Sequence, residues 1–205
     1  YLGPEFPVSL STGPQFYDLF SEVYLSINDQ QEIGLQFRVG VDDTRFFWTD
    51  GSPSSLIQEN LNAHLSEPIF TMGTQFIFFA EDPAKGMELF HKNGINNPSQ
   101  ILKDLSPFTA AFQPGPTWLF DLKEATTSNQ YHYFVGRTGV DQYDAQVWRT
   151  DGTPSGTQSL AIGLLDPEPA DLVCWQNKLY FIQNSTADRG IWESDGTVAG
   201  TSVFL

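Results

Sequence analysis

Four times along the chain a glycine closes a short polar turn, and an aromatic residue stands four positions before it. The copies read FWTDG ending at Gly51, FHKNG at Gly94, WRTDG at Gly152 and WESDG at Gly196. Gly-to-Gly spacings are 43, 58 and 44 residues. Self-similarity at a period of about 40 to 60 residues marks an array of small identical units, none able to bury its own apolar face alone. Alternate copies are separated by 101 and 102 residues, which suggests a two-unit block copied once, a long unit followed by a short one.

Each unit divides into four short β-prone runs bounded by turn residues. The runs are 22–27, 35–39, 45–49 and 56–61 in the first unit, and 68–72, 75–80, 87–92 and 100–105 in the second. In the third they are 118–122, 131–136, 146–150 and 159–164, and in the fourth 172–175, 178–183, 190–194 and 202–205. The second run is apolar on both sides, as in Phe76, Ile77, Phe78 and Phe79, or Leu179, Tyr180, Phe181 and Ile182. A strand with one face in water alternates; one that does not alternate must be covered on both faces. That requirement places each small sheet between two neighbours, which is the geometry of propeller blades around an axis. The sequence therefore predicts an all-β, four-bladed β-propeller of four-stranded antiparallel blades, approximately 21–62, 63–106, 107–165 and 166–205, after an N-terminal or ring-closing segment over 1–20. The alternative is half of a larger propeller completed by another chain.

The turn has its own chemistry. Asp50, Asp151 and Asp195, with Asn93 in the second copy, can accept bonds from amides two residues on, while Gly51, Gly94, Gly152 and Gly196 take a positive φ. Read functionally, those acids would be cation ligands; their repetition at one turn favours structure. Phe47, Phe90, Trp148 and Trp192 likewise admit a sugar-stacking reading, but equivalent strand positions in a propeller fill the space between blades. These four are expected in the core.

WRTDGTPSGTQSL and IWESDGTVAGTSVFL resemble the bacterial ELWxxDGT repeat. MELF at 87–90, ILKDL at 101–105 and KLYF at 178–181 match other parts of that repeat. The first copy departs at FFWTDGSPSS, and the second replaces DGTxxGT by NGINNPS. The resemblance implies a large secreted or surface-attached propeller protein and carries no reaction with it.

Composition narrows the partners. The 205 residues include 25 acidic against 10 basic, a net charge of −15. Without clustered Lys and Arg, neither nucleic acid nor an anionic membrane surface is an expected partner. No apolar run reaches the length of about 18 residues that a membrane span needs. The chain opens on Tyr1 without a basic–apolar leader, so N-terminal processing or a fragment is expected. The single cysteine, Cys174, lies in the apolar run LVCW and is expected to be an inert packed thiol.

One predicted rim gathers the loops between second and third strands, and these contain Asp42, Asp43, Glu81, Asp82, Asp141, Asp144 and Asp188. Carboxylates from every blade could hold calcium, though no DxDxDG spacing is present and a solvated acidic surface is the favoured reading. No cofactor is required by any motif. His64, His91 and His132 show no metal-ligand spacing, and there is no GxSxG elbow or CxxC pair. The leading functional expectation is a non-catalytic extracellular or cell-surface module that binds or positions a partner protein, or its own subunits. A carbohydrate-binding propeller is second, and a hydrolase or lyase built from rim carboxylates third.

Overall fold

The computed structural model describes residues 20–39, 44–61, 69–105, 126–127, 130–137, 145–160, 170–184 and 189–205. They form four separate four-stranded antiparallel sheets, each a meander in chain order. Blade 1 comprises β1 (Phe20–Ile27), β2 (Ile33–Val39), β3 (Thr44–Thr49) and β4 (Ile57–Gln58). Blade 2 comprises β5 (Phe70–Met72), β6 (Gln75–Asp82), β7 (Gly86–Asn93) and β8 (Gln100–Lys103). Blade 3 comprises β9 (Thr126–Thr127), β10 (His132–Arg137), β11 (Ala145–Thr150) and β12 (Gln158–Ser159). Blade 4 comprises β13 (Ala170–Trp175), β14 (Lys178–Gln183), β15 (Gly190–Ser194) and β16 (Thr201–Val203). The protein is an all-β propeller-type array.

Register makes the blades superimposable. The turn aromatics Phe47, Phe90, Trp148 and Trp192 lie opposite Leu35, Phe78, Phe134 and Phe181 on the second strands. Because side chains alternate along a strand, each blade has two faces. We call the face toward the next blade in sequence leading, and the other trailing. On blade 1, Phe46 and Trp48 lead; they meet Phe78 and Phe76 on the trailing face of blade 2, with ring centroids 4.8 and 5.0 Å apart. Blade 2 leads with Phe79 and Phe70, which meet Phe134 edge-on at 5.7 Å and stack on His132 at 3.6 Å. Tyr133, Val135 and Val147 lead from blade 3 into a cluster with Leu179 and Phe181 of blade 4. Every interface therefore sets a leading face on a trailing face, head to tail.

Burial follows the neighbours. Phe76 to Ala80 of β6 are all buried, as are His132 to Gly136 of β10. In the end blades one face opens: Leu35 and Phe37 of β2, and Tyr180 and Ile182 of β14, are only half-buried.

Three details depart from the sequence reading. The fourth strands are shorter than predicted, two residues each in blades 1 and 3, because they are outer edges with one hydrogen-bonded neighbour. The described first strand of blade 3 is Thr126–Thr127, paired with Tyr133 and His132; the predicted run 118–122 lies outside the described residues. Of the four aromatics expected in the core, Phe90 and Trp148 are buried while Phe47 and Trp192 are half-buried. In blade 1 the load passes to the adjacent Phe46 and Trp48, both fully buried on the leading face.

Candidate functional site

The recurrent turn is a small hydrogen-bonded machine. Asp50, Asp151 and Asp195 accept the amides of Ser52, Thr153 and Thr197 at 2.8, 2.9 and 2.8 Å. Those bonds and the neighbouring serines, Ser55 foremost, hold the Asp50 carboxyl down to about 2. Thr197 depresses Asp195 in the same way. The residue before each Asp supplies a second anchor: Thr49, Thr150 and Ser194 each accept the turn glycine's amide at 3.0 Å. Their hydroxyls pair at 2.7 Å with Ser55, Thr157 and Thr201. This latch explains the second half of DGTxxGT. The Thr153 and Thr197 hydroxyls in turn accept the amides of Gly156 and Gly200, where any Cβ would overlap the Asp carboxylate. Sequence reasoning missed the hydroxyl pair, although Thr or Ser before the Asp in three copies was its signal.

Blade 2 solves the same turn differently. Asn93 Oδ1 accepts from Thr74 at 2.8 Å, and Lys92 stands where the others place Thr or Ser. The nearly buried Lys92 ammonium donates to the Asn97 carbonyl, lies 3.3 Å from Glu59 of blade 1 and sits 5.6 Å from the Trp48 ring centroid. Glu59 also accepts from Trp48 Nε1 and Ser99, so the pair locks blade 1 to blade 2.

The four turn glycines, at φ of +74° to +90°, differ in what lies above them. A Cβ on Gly94 would meet Glu32 of blade 1 at 3.3 Å; on Gly152, Gln75 of blade 2 at 3.0 Å. On Gly196 it would meet Tyr133 at 2.8 Å and the Tyr131 ring at 3.0 Å, both from blade 3. Gly51 has nothing within 4 Å. By register, Glu32, Gln75 and Tyr131 occupy one repeat position, just before the residue paired with the latch position. Each of blades 1 to 3 thus covers the turn of the next, and among the described residues none covers that of blade 1.

The rim acids divide. Asp42, Asp43, Asp141, Asp144 and Asp188 lie outside the described residues. Glu81 and Asp82 end β6, and Asp82 caps its own turn by accepting the amides of Ala84 and Lys85 at 2.9 and 3.0 Å. Lys85 bridges to Asp104 at 2.7 Å, joining that loop to the inter-blade connection. Below them Glu88 is wholly buried, its Oε2 accepting the Leu105 amide at 2.6 Å; burial pushes its carboxyl up to about 8. Among the described residues, no three His, Cys, Asp or Glu side chains gather as a metal site.

What the structure does gather is apolar surface at both ends of the array. The trailing face of blade 1 carries Val23, Leu25 and Ile27, the first two more than half exposed at 56 and 54%, beside half-buried Leu35, Phe37 and Phe47. The leading face of blade 4 carries Val173, Trp175, Tyr180, Ile182 and Ile191, with Trp175 61% exposed. The Tyr180 ring touches Trp175 at 6.3 Å and Phe204 at 5.6 Å. Large contiguous apolar patches of this kind mark interaction sites on folded proteins. Cys174, half-buried, lies on the opposite face of β13, toward blade 3.

No family model matches the chain, and no curated protein matches it. Among solved structures it is similar to TolB from Acinetobacter baumannii, at 10% identity and a TM-score of 0.50, over 88% of this chain and 42% of that one. It is also similar to oligopeptidase B from Trypanosoma brucei (13% identity, TM-score 0.49, 90% of this chain and 27% of that one). A third similar structure is an alpha-L-arabinofuranosidase from Clostridium thermocellum (13%, 0.35, 91% and 74%). The chain spans less than half the length of the first two. At such identities the likeness to TolB shows the fold alone, a β-propeller.

No helix among the described residues is long and apolar enough to cross a membrane.

Proposed function

We propose that this chain is a non-catalytic propeller module of a secreted or cell-surface protein, which binds and positions a partner protein through its end blades. One observation carries the reading: exposed large apolar side chains gather on the trailing face of blade 1 (Val23, Leu25, Ile27) and on the leading face of blade 4 (Val173, Trp175, Ile191). Aromatic and aliphatic groups there supply the anchors from which protein interfaces draw most of their energy. The ELWxxDGT resemblance supports the extracellular setting. The test is capture of an identified partner from the native source by the wild-type chain, with loss of capture by Leu25→Asp and by Trp175→Asp. Capture that survives both substitutions contradicts the reading.

A second reading, a carbohydrate-binding propeller, draws on the exposed Trp175 beside Tyr180 and Phe204, since such rings stack on sugar faces. Glycan-array binding abolished by Trp175→Ala, measured with and without calcium, would establish it, and silence in both conditions would remove it.

A further inference from the structure

We propose that the occupant of each end face is a second copy of this chain, so that two arcs of four blades close one eight-bladed ring. The inference rests on reading the end faces as protein-binding and adds the partner's identity.

Three observations lead there. First, all three internal interfaces are of one polarity, leading face on trailing face. Among the described residues no blade packs on the leading face of blade 4 or on the trailing face of blade 1, and each of these faces is the complement of the other. A heterologous contact of this kind closes into a ring when its rotation allows it, and eight blades lie within the size range of known propellers.

Second, the repeat register names the contacts. Ser26 of blade 1 bonds the Ile69 carbonyl of blade 2. By strand pairing Val173 is the blade 4 equivalent of Ser26, and Leu25 the blade 1 equivalent of Ile69. Phe79 against Phe134 becomes Ile182 against Leu35. Both transposed pairs consist of apolar side chains now open to solvent or half-covered.

Third, Gly51 alone among the turn glycines is uncovered, and the residue that would cover it is Lys178. Lys178 occupies the repeat position of Glu32, Gln75 and Tyr131. It now bridges Glu193 at 3.0 Å and is 46% exposed in its side chain. Seated over Gly51 of a second copy it would stand beside the Asp50 carboxylate, a cation brought to a fixed anion. The internal turns place neutral or acidic groups at this point; the one basic residue falls at the end of the array.

The experiment is light-scattering mass of the purified 205-residue chain over a concentration series, with its folding checked by circular dichroism. The expected mass is twice 22.9 kDa. Leu25→Asp and Trp175→Asp should each weaken association by about thirtyfold or more, since one buried charge spoils both interfaces of the ring. Both residues are exposed within the chain, so the variants should keep the wild-type spectrum. Mixing the two variants should restore a dimer held by one intact interface, because the first keeps its blade 4 face and the second its blade 1 face. A chain monomeric at every concentration overturns the proposal. So do variants that fail to complement, or a mass that climbs beyond two copies. A monomer that still captures another protein through these faces would end the proposal while leaving the proposed function standing.

Discussion

The second strands of blades 2 and 4, QFIFFAED and KLYFIQ, are equally apolar, yet they end in different surroundings. Phe79 in blade 2 is buried against Phe134, whereas Ile182, its counterpart in blade 4, is half-buried. Nothing within either sheet accounts for the difference. It comes from whether a described blade packs on that face. In this architecture the sheet supplies the pattern and the neighbour supplies the burial, so the end blades carry core-type surface that awaits a core.

Substitutions on inner and end faces should therefore cost very different amounts. Phe78→Ala, in the packed interface of blades 1 and 2, is expected to lower stability by about 3–5 kcal/mol in urea unfolding, the usual cost of truncating a buried Phe. Leu25→Ala at the open end should stay within about 0.5 kcal/mol at concentrations where the chain is monomeric. Equal losses at the two sites would erase the distinction between inner and end faces.

Next come two buried titrating groups of the inner blades, Glu88 and His132. Glu88, raised to about 8 when folded, is comfortable while protonated; stability is full below about 4.5 and is lost as pH rises through about 8. His132, between blades 2 and 3, is lowered by burial to about 4. Its contribution is present above about 6.5 and is lost as pH falls through about 4. Glu88→Gln should remove the alkaline slope and His132→Phe the acidic one, each worth on the order of a few kcal/mol. Melting temperatures followed from pH 4 to 9 check both, and unchanged slopes would contradict the burial of these groups.

The glycine ladder is finer. Alanine at any of the four turns meets positive φ, a cost on the order of 1 kcal/mol. Gly196→Ala also drives into Tyr133 and Tyr131, and Gly152→Ala presses the flexible end of Gln75, while Gly51→Ala meets nothing. The expected order of destabilisation is 196, then 152, then 51. A Gly51 substitution as costly as that at Gly196 in the monomer would mean the first blade is covered after all. Smallest is the latch: Thr150→Val should cost about 1 kcal/mol, the usual net worth of a hydrogen bond.

Much of the array was legible beforehand, and the reasons are physical. A turn needing Asp and Gly at fixed offsets must repeat its letters, and a strand buried on both sides cannot alternate. The limits were equally physical. KLYFIQ reads the same whether or not a blade follows it, so openness at the ends is invisible locally. In blade 1 the choice of Phe46 and Trp48 over Phe47 for the core depends on which face meets blade 2. Lys92 replaces a hydroxyl latch only because Glu59 and Trp48 arrive from another blade to receive its charge. Glu81 and Asp82 were legible as rim acids, but Asp82's commitment to its own turn amides emerges only from the backbone path.

The openness of the array is tested most directly by placing one thiol on each end face. In a Cys174→Ser background, Leu25→Cys and Val173→Cys are introduced together and the pair is joined by a short bis-maleimide. The account predicts a product linked between two chains, with a mass of twice 22.9 kDa. A quantitative link within a single 22.9 kDa chain would show that blades 4 and 1 meet each other, and would contradict it.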